Sequence, residues 1–202
     1  MRIRFQVRGY IGVHDSKLEI ILKLAQSGDD DAFSDLQIKF EQSLRRFVLR
    51  LIGYHDEVDD IVQKTFIALY MNLDRITPVA KLRPFLFRVA RNLSYDYLRK
   101  IYRHEDVPLQ DCEYHLSANT ISLEEKAHWS IVFEEVRKVI DCLPINHRDT
   151  LILYIEEGLS QAEIADIMNT EIGTVKSRLF YARKLLKQTV SPDILSMLKD
   201  RE

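Results

Sequence analysis

Apolar side chains recur at three- and four-residue steps in segment after segment of this 202-residue chain. The pattern runs from about residue 33 to 51, 56 to 73 and 84 to 103, and again in shorter stretches between residues 122 and 188. Such spacing places the apolar groups on one face of an α-helix. Only the first residues alternate as a strand would, so we predict an all-α fold.

A break in this pattern divides the predicted helices into two domains. Residues 104–121 show no sustained periodicity and carry Pro, Asp, Asn and Ser, a composition typical of a flexible linker. After this break, Ser122 and Glu125 have the spacing of a capping box, which marks a helix start. The predicted divisions are an N-terminal extension with a first helix (1–28), a helical domain (29–103), the linker (104–121), a helix-turn-helix domain (122–190) and a tail (191–202).

The formal net charge of −2 argues mildly against nucleic-acid binding, which requires clustered lysine and arginine. The charges are, however, segregated along the chain, because acidic residues are frequent in the first third and basic residues cluster in the middle and near the end. Either basic cluster is able to contact phosphates despite the negative net charge of the whole chain. The clusters are Arg88, Arg91, Arg99, Lys100 and Arg103, and Lys176, Arg178, Arg183, Lys184 and Lys187.

Several classes of function find no support in the sequence. It lacks a phosphate-binding loop, a zinc-protease motif and a glycine-rich dinucleotide turn, so we expect no catalytic residue and no cofactor. Cys112 and His115 stand at irregular distances from other histidines, which favours a linker over a metal site. With two cysteines and no apolar run of membrane-spanning length, we expect a cytoplasmic protein that does not insert into a membrane.

The helix predicted from Asp56 to Leu73 has two contrasting faces. One stripe is apolar and predicts a core contact. The opposite face combines large apolar residues with acidic and amide groups, so it is either buried against another helix of this chain or binds a partner. The residues assigned to that face are Asp59, Asp60, Gln63, Phe66, Ile67, Tyr70 and Met71.

The next predicted helix, from about Pro84 to Arg103, combines basic, aromatic and amide side chains on one face. Single-stranded nucleic acid requires this combination, because cations neutralise phosphates and flat rings stack on bases. A solvated basic face is the alternative. The predicted core stripe is Leu86, Val89, Ala90, Leu93, Tyr97 and Ile101, and the far face is Arg88, Arg91, Asn92, Tyr95, Arg99, Tyr102 and Arg103.

Residues 158–188 have the spacing of a helix-turn-helix. Ser160 and Glu163 form a capping box, Ala165 is small enough for a close helix crossing, and Asn169 and Thr170 supply a turn before a second helix. A helical hairpin without a DNA role remains the alternative. The second helix buries Ile172, Val175, Leu179, Ala182 and Leu186 and exposes Thr174, Lys176, Ser177, Arg178, Phe180, Tyr181 and Lys184, a face that fits the major groove of duplex DNA.

Three motifs together resemble the extracytoplasmic-function (ECF) group of the sigma-70 family of RNA polymerase sigma factors. They occur in the family's order over about residues 29–188, which makes the resemblance specific. The motifs are DDIVQKTF from Asp59, FLFRVARN from Phe85 with DYLR from Asp96, and GTVKSRL from Gly173 with Ala182 and Arg183.

This resemblance implies a factor that binds core RNA polymerase, through the clamp helices of the largest subunit and the flap, and directs it to promoter DNA. It also implies an anti-sigma protein as a partner. The residues it assigns to polymerase binding are Asp59, Asp60, Gln63, Phe66, Ile67 and Tyr70; those for the single-stranded minus-ten element are Arg88, Arg91, Asn92, Tyr95, Asp96, Arg99, Lys100 and Arg103; those for the duplex minus-thirty-five element are Thr174, Lys176, Ser177, Arg178, Phe180, Tyr181 and Lys184.

The chain departs from the family's pattern in three places. Phe85 stands where a tryptophan is common, which keeps a stacking surface but lacks the indole N–H. Tyr181 stands where many members carry arginine, so a bidentate contact to guanine or phosphate is lost. The basic stretch also ends at Arg103, because acidic residues follow at 105 and 106, which weakens electrostatic help in melting.

Two other functions are compatible with the residues alone. A stand-alone helix-turn-helix regulator would bind DNA without polymerase and on two-fold half-sites. If the chain is a helical adaptor that binds only protein, replacing Lys176 or Arg178 by alanine would leave DNA binding unchanged. In the sigma-factor hypothesis, by contrast, the flexible linker and acidic balance make promoter binding weak until polymerase fixes the spacing of the two domains.

Overall fold

The computed structural model describes residues 14–53, 56–102, 140 and 142–189, which contain α-helices and short 3₁₀ turns but no strand. The predicted all-α fold is confirmed. The predicted linker and the helix expected from Ser122 lie outside these residues, and no described helix has the length and apolar character needed to cross a bilayer. The helices are α1 (His14–Gln26), α2 (Asp30–Ile52), α3 (Glu57–Asn72), α4 (Leu82–Tyr102), α5 (Ile145–Ile155), α6 (Gln161–Met168) and α7 (Ile172–Thr189).

The N-terminal unit consists of α1 to α4, packed around one apolar core. Helix α2 begins after Asp29, whose side chain accepts a hydrogen bond of 2.9 Å from the backbone N–H of Ala32 and so caps the helix. It ends at Gly53, whose φ of 77° suits a residue without a Cβ. Helix α1 is tied to the turn after α3, since the Gln26 amide donates to the carbonyl of Leu73 at 2.8 Å.

The core side of α4 differs from the predicted stripe. Phe87, Ser94 and Leu98 are buried, whereas Val89, Leu93, Tyr97 and Ile101 are only half-buried. Phe87 packs edge-to-face on Phe47 of α2, with ring centroids 5.2 Å apart. Leu86 and Ala90 are buried as predicted, and Leu93 and Tyr97 still pack against the core. The predicted stripe omitted Phe87, Ser94 and Leu98 because α4 packs against α2, α3 and α6, so more of its circumference is covered than one stripe.

The C-terminal unit consists of α5, α6 and α7, and its last two helices form the predicted helix-turn-helix. The capping box of α6 is present in both directions: Glu163 N–H donates to the Ser160 hydroxyl at 3.2 Å, and Ser160 N–H donates to the Glu163 carboxylate at 2.7 Å. Asn169 then adopts a left-handed φ of 48°, which turns the chain into α7. Ile172 was predicted to be buried but is exposed, because it lies at the first residue of α7, outside the packed part.

The packing of Phe87 generates a stability prediction. Phe87→Ala removes a fully buried ring between α2 and α4, so it is expected to lower the free energy of unfolding by about 3–5 kcal/mol. Urea denaturation followed by circular dichroism measures this change. The matched control is Phe180→Ala, whose ring is 71% exposed and whose loss is expected to change little. Equal effects of the two substitutions would contradict the packing described here.

Candidate polymerase and nucleic-acid interfaces

Helix α3 carries an exposed surface of mixed chemistry, which we call the α3 outer face: Asp59, Asp60, Gln63, Ile67, Tyr70 and Met71. Its large apolar members are exposed, and the Tyr70 ring, 60% exposed, packs edge-to-face on Phe33 of α2 at 5.2 Å. Asp59 pairs with Arg45, and Asp60 pairs with Lys64 one turn later. The hydrogen bond from Lys64 lowers the pKa of Asp60, so this carboxylate stays charged.

Phe66 does not belong to this outer face. Its side chain is only 5% exposed, although the sequence analysis placed it beside Ile67 and Tyr70. The physical reason is helical spacing, because Phe66 follows the buried Val62 by one turn and precedes the buried Leu69 by three residues. The ring therefore supports the α3 outer face from behind.

Helix α4 presents the predicted mixture of cations, rings and amide away from the core, and we call this set the α4 basic face: Arg88, Arg91, Asn92, Tyr95, Asp96, Arg99 and Lys100. Asn92, Asp96, Arg99 and Lys100 are exposed, and Arg99 donates to Asp96 at 2.7 Å. Arg88, Arg91 and Tyr95 are half-buried. Arg103 lies outside the described residues.

The half-buried members of the α4 basic face contact the C-terminal unit. Arg91 Nε donates to Asp149 Oδ2 of α5 at 2.7 Å, and the Tyr95 hydroxyl donates to the same oxygen at 2.8 Å. Arg91 Nη2 also donates to the Asn146 side-chain oxygen at 3.2 Å, and its guanidinium lies 4.2 Å from the centre of the Tyr95 ring. Asp149 itself is fully buried.

Electrostatics at this contact follow from burial and from the Asp149 charge. Burial raises the pKa of the Tyr95 phenol, and the Asp149 carboxylate raises it further. Burial alone would lower the pKa of Arg91, but the charge of Asp149, the Tyr95 phenol and the hydrogen bonds to both together raise that pKa. Arg91 and Tyr95 therefore keep their protons and donate to a single carboxylate.

Three further ion pairs connect the two units around this contact. Arg88 Nη2 lies 3.2 Å from Asp166 Oδ2 of α6. Arg83 Nη2 donates to the Glu157 backbone carbonyl at 2.6 Å and lies 3.6 Å from its carboxylate. Arg50 Nε lies 3.4 Å from the Glu156 carboxylate. Burial raises the pKa of Glu157, and nearby Arg83 opposes that shift.

Sequence reasoning missed these acidic residues because it treated the C-terminal unit as a basic surface. One signal was available for Asp149. It lies four residues after the half-buried Ile145 and three before the buried Ile152, so helical spacing turns its carboxylate inward. A charge at an inward position requires a partner.

The exposed side of α7 carries the residues predicted to contact duplex DNA. Lys176, Ser177, Phe180, Tyr181 and Lys184 are exposed, and the Ser177 hydroxyl donates to the Thr174 carbonyl at 2.9 Å. Thr174 and Arg178 are half-buried. The Tyr181 ring packs at 5.0 Å on His147 of α5, so it is anchored at one edge.

Family comparisons agree with this two-unit architecture. Residues 38–104 match the model of Sigma-70 region 2, and residues 133–186 match that of Sigma-70, region 4. The chain is 34% identical over 163 residues to the ECF RNA polymerase sigma factor EcfG of Rhodopseudomonas palustris, covering 81% of this chain and 87% of that protein. It is 30% identical over 181 residues to the ECF RNA polymerase sigma-E factor of Escherichia coli K12, covering 86% and 94%.

A solved structure shows the same likeness. The sigma factor RpoE of Bartonella quintana, crystallised with the anti-sigma factor NepR, superposes with a TM-score of 0.65 at 27% identity, covering 80% of this chain and 98% of that one. Two helical units, the second a helix-turn-helix, define a two-domain transcription initiation factor. The chain belongs to the ECF group of the sigma-70 family of RNA polymerase sigma factors.

Family membership settles the general function. The protein binds core RNA polymerase and promoter DNA and directs promoter-specific transcription initiation. The stand-alone regulator is not favoured, since models of both region 2 and region 4 match in order.

A pH dependence follows from His147, which contacts the Tyr181 ring and faces Arg178 and Asp149. Burial lowers the pKa of His147 below the ordinary 6.5, and the charge of Arg178 lowers it further. The charge of Asp149 opposes this shift. As pH falls through about 6.5, the unfolded chain takes up this proton first, so folding stability falls. His147→Gln is expected to reduce this acid sensitivity, measured by urea denaturation between pH 5 and 7.5. A difference between the two proteins that does not vary with pH would contradict the assignment.

Proposed function

We propose that the α3 outer face binds the clamp helices of the polymerase largest subunit. Exposed Ile67, Tyr70 and Met71 beside acidic Asp59 and Asp60 support this role, because a surface of this kind is costly to leave in water and fits a basic, apolar partner helix. The buried Phe66 ring supports the α3 outer face from the core side of the helix. This surface is the observation that carries the polymerase assignment.

The α4 basic face holds the single-stranded minus-ten element, and Arg103, which follows α4 in the sequence, is assigned to the same element. Tyr95 supplies a ring for stacking, Arg88 and Arg91 supply cations, and Asn92 supplies an exposed amide for base edges. Arg99, oriented by Asp96, and Lys100 extend the path for the backbone.

Helix α7 enters the major groove of the minus-thirty-five element. Thr174, Lys176 and Ser177 lie in its first two turns, where a recognition helix contacts base edges and phosphates. Arg178, Phe180, Tyr181 and Lys184 lie further along, and the unit that carries them docks on the polymerase flap.

Control comes from an anti-sigma protein that covers these faces. The RpoE structure supports this proposal, since that relative was crystallised with an anti-sigma factor. The protein acts in the cytoplasm, where polymerase and promoters are located, and it contributes contacts and not catalysis.

The polymerase assignment is tested with Ile67→Ala, Tyr70→Ala. Removing exposed side chains near the centre of an interface costs about 2 kcal/mol or more of binding, so co-elution with core polymerase in size-exclusion chromatography is expected to be lost. The control is Ile20→Ala on α1, also an exposed apolar residue but distant from α3 in the chain. Full co-elution of the double variant would overturn the assignment.

The minus-thirty-five assignment is tested with Lys176→Ala in the holoenzyme. One lost phosphate contact is expected to weaken binding to a promoter fragment and to reduce the slope of log affinity against log salt by about 1. Lys39→Ala, an exposed lysine of α2, is the matched control. An unchanged slope in Lys176→Ala would remove this residue from the DNA contact.

A further inference from the structure

Two aromatic rings lie side by side on the surface of α7 that is proposed to enter the major groove. Phe180 is 71% exposed and Tyr181 is 47% exposed. Lys176 lies one turn before Phe180 and Lys184 one turn after it, and both lysines are exposed. Apolar rings left in water indicate a binding surface, and cations on either side of them fit the phosphates of a nucleic acid. This surface therefore has an apolar centre and a basic border.

The two arginines of α7 are drawn away from this surface. Arg178 is half-buried, and its Nη1 donates to Met168 Sδ of α6 at 3.6 Å. Arg183 is half-buried as well, and its guanidinium lies 5.1 Å from the centre of the Tyr154 ring of α5. The commonest contact to guanine is a pair of hydrogen bonds from a guanidinium that extends into the groove. Neither arginine is placed to make that contact.

The position of the Tyr181 ring is fixed by a second ring. It packs on His147 of α5, with centroids 5.0 Å apart and planes tilted by 59°. Burial lowers the pKa of His147, and the charge of Arg178 lowers it further against the opposing charge of Asp149, so the imidazole is uncharged at neutral pH. This neutral ring holds one side of Tyr181, and the exposed remainder is an apolar surface of fixed orientation.

Thymine is the base that offers such a surface a partner. Base pairs present hydrogen-bond donors and acceptors in the major groove, and the C5-methyl of thymine is the apolar group among them. An aromatic ring can cover this methyl, whereas it has no pair of donors for guanine. Ser177 and Tyr181 are four residues apart, so they lie on the same side of the helix, as base-contacting residues of a recognition helix do.

We propose that Phe180 and Tyr181 select thymine in the minus-thirty-five duplex by covering its methyl group, and that His147 is the positioning residue that fixes Tyr181 for this contact. The inference rests on the proposed entry of α7 into the major groove, and it names the base that this helix selects. The tyrosine at a position where many members of the family carry arginine thus exchanges a guanine contact for a thymine contact.

The first test compares the DNA sites that wild-type and variant holoenzymes select from a randomised duplex library. Tyr181→Arg is expected to change one position of the minus-thirty-five element from T·A to G·C and to leave the other positions as they are, because a guanidinium contacts guanine. The control is Ile38→Arg, which adds the same charge at a 74% exposed position on α2 and is expected to change no position.

The second test removes only the methyl group. Deoxyuridine replaces the thymine at that position of the selected duplex, and it pairs as thymine does but lacks the C5-methyl. The affinity of the wild-type holoenzyme is expected to fall about fourfold, the effect of losing one buried methyl group. Tyr181→Ala is expected to bind the thymine and deoxyuridine duplexes equally, because the ring that covers the methyl is gone.

The positioning role of His147 is tested by the same ratio of affinities. His147→Ala is expected to bring the preference for thymine over deoxyuridine close to one, and His147→Phe, which keeps a flat ring against Tyr181, is expected to restore it. A role of His147 in folding alone would change the affinity for both duplexes and leave their ratio at the wild-type value. Full discrimination by His147→Ala would therefore remove this residue from the contact.

An unchanged site in Tyr181→Arg, or equal wild-type affinity for the thymine and deoxyuridine duplexes, would overturn the inference. Rings that bind protein in place of DNA would give this result. The salt dependence of Lys176→Ala separates it from failure of the proposed function. If Lys176→Ala reduces the salt slope while the methyl has no effect, α7 contacts DNA and the base assignment is wrong. If neither Lys176→Ala nor Tyr181→Arg alters DNA binding, the DNA role of α7 is wrong, and the inference falls with it.

Discussion

Helix α4 has an apolar side that must be buried and a polar side that must find hydrogen-bond acceptors. The packing of both helical units follows from these two requirements. Its apolar side, centred on Leu86 and Phe87, is held against α2 and α3 and fixes the helix in place. Its other side carries cations and a tyrosine that cannot be buried without oxygen acceptors. In the free chain those acceptors are supplied by Asp149 and its neighbours, so the C-terminal unit packs where α4 is most polar.

Sequence alone could predict the elements whose signals are local. The Ser160 and Glu163 capping box and the turn at Asn169 each depend on residues within four positions, and the structure shows both of them. Burial was less predictable, because it depends on which neighbour covers a helix. Phe66 was assigned to the exposed face but is buried, and the buried Phe87 was not part of the predicted core stripe.

The candidate site divides in the same way. Exposed Tyr70, Lys176 and Ser177 could be found from periodicity and motifs, since solvent-facing positions follow directly from helical spacing. The pairing of Arg91 with Asp149 could not, because 58 residues separate them and no local pattern fixes how two helical units meet. Ion pairs of this kind become visible only when both units are placed in space.

The closed arrangement covers the proposed surfaces unequally, and this bears on the order of assembly. Ile67, Tyr70 and Met71 on α3 remain exposed, whereas Arg91 and Tyr95 on α4 are engaged. The surface proposed for polymerase is therefore accessible in this arrangement, whereas Asp149 already accepts hydrogen bonds from two residues of the surface proposed for DNA. A partner opens such an equilibrium only by binding the open state more tightly. Polymerase meets this condition if it binds the two units at separate sites, because its contact with the C-terminal unit then forms only after Asp149 has left α4.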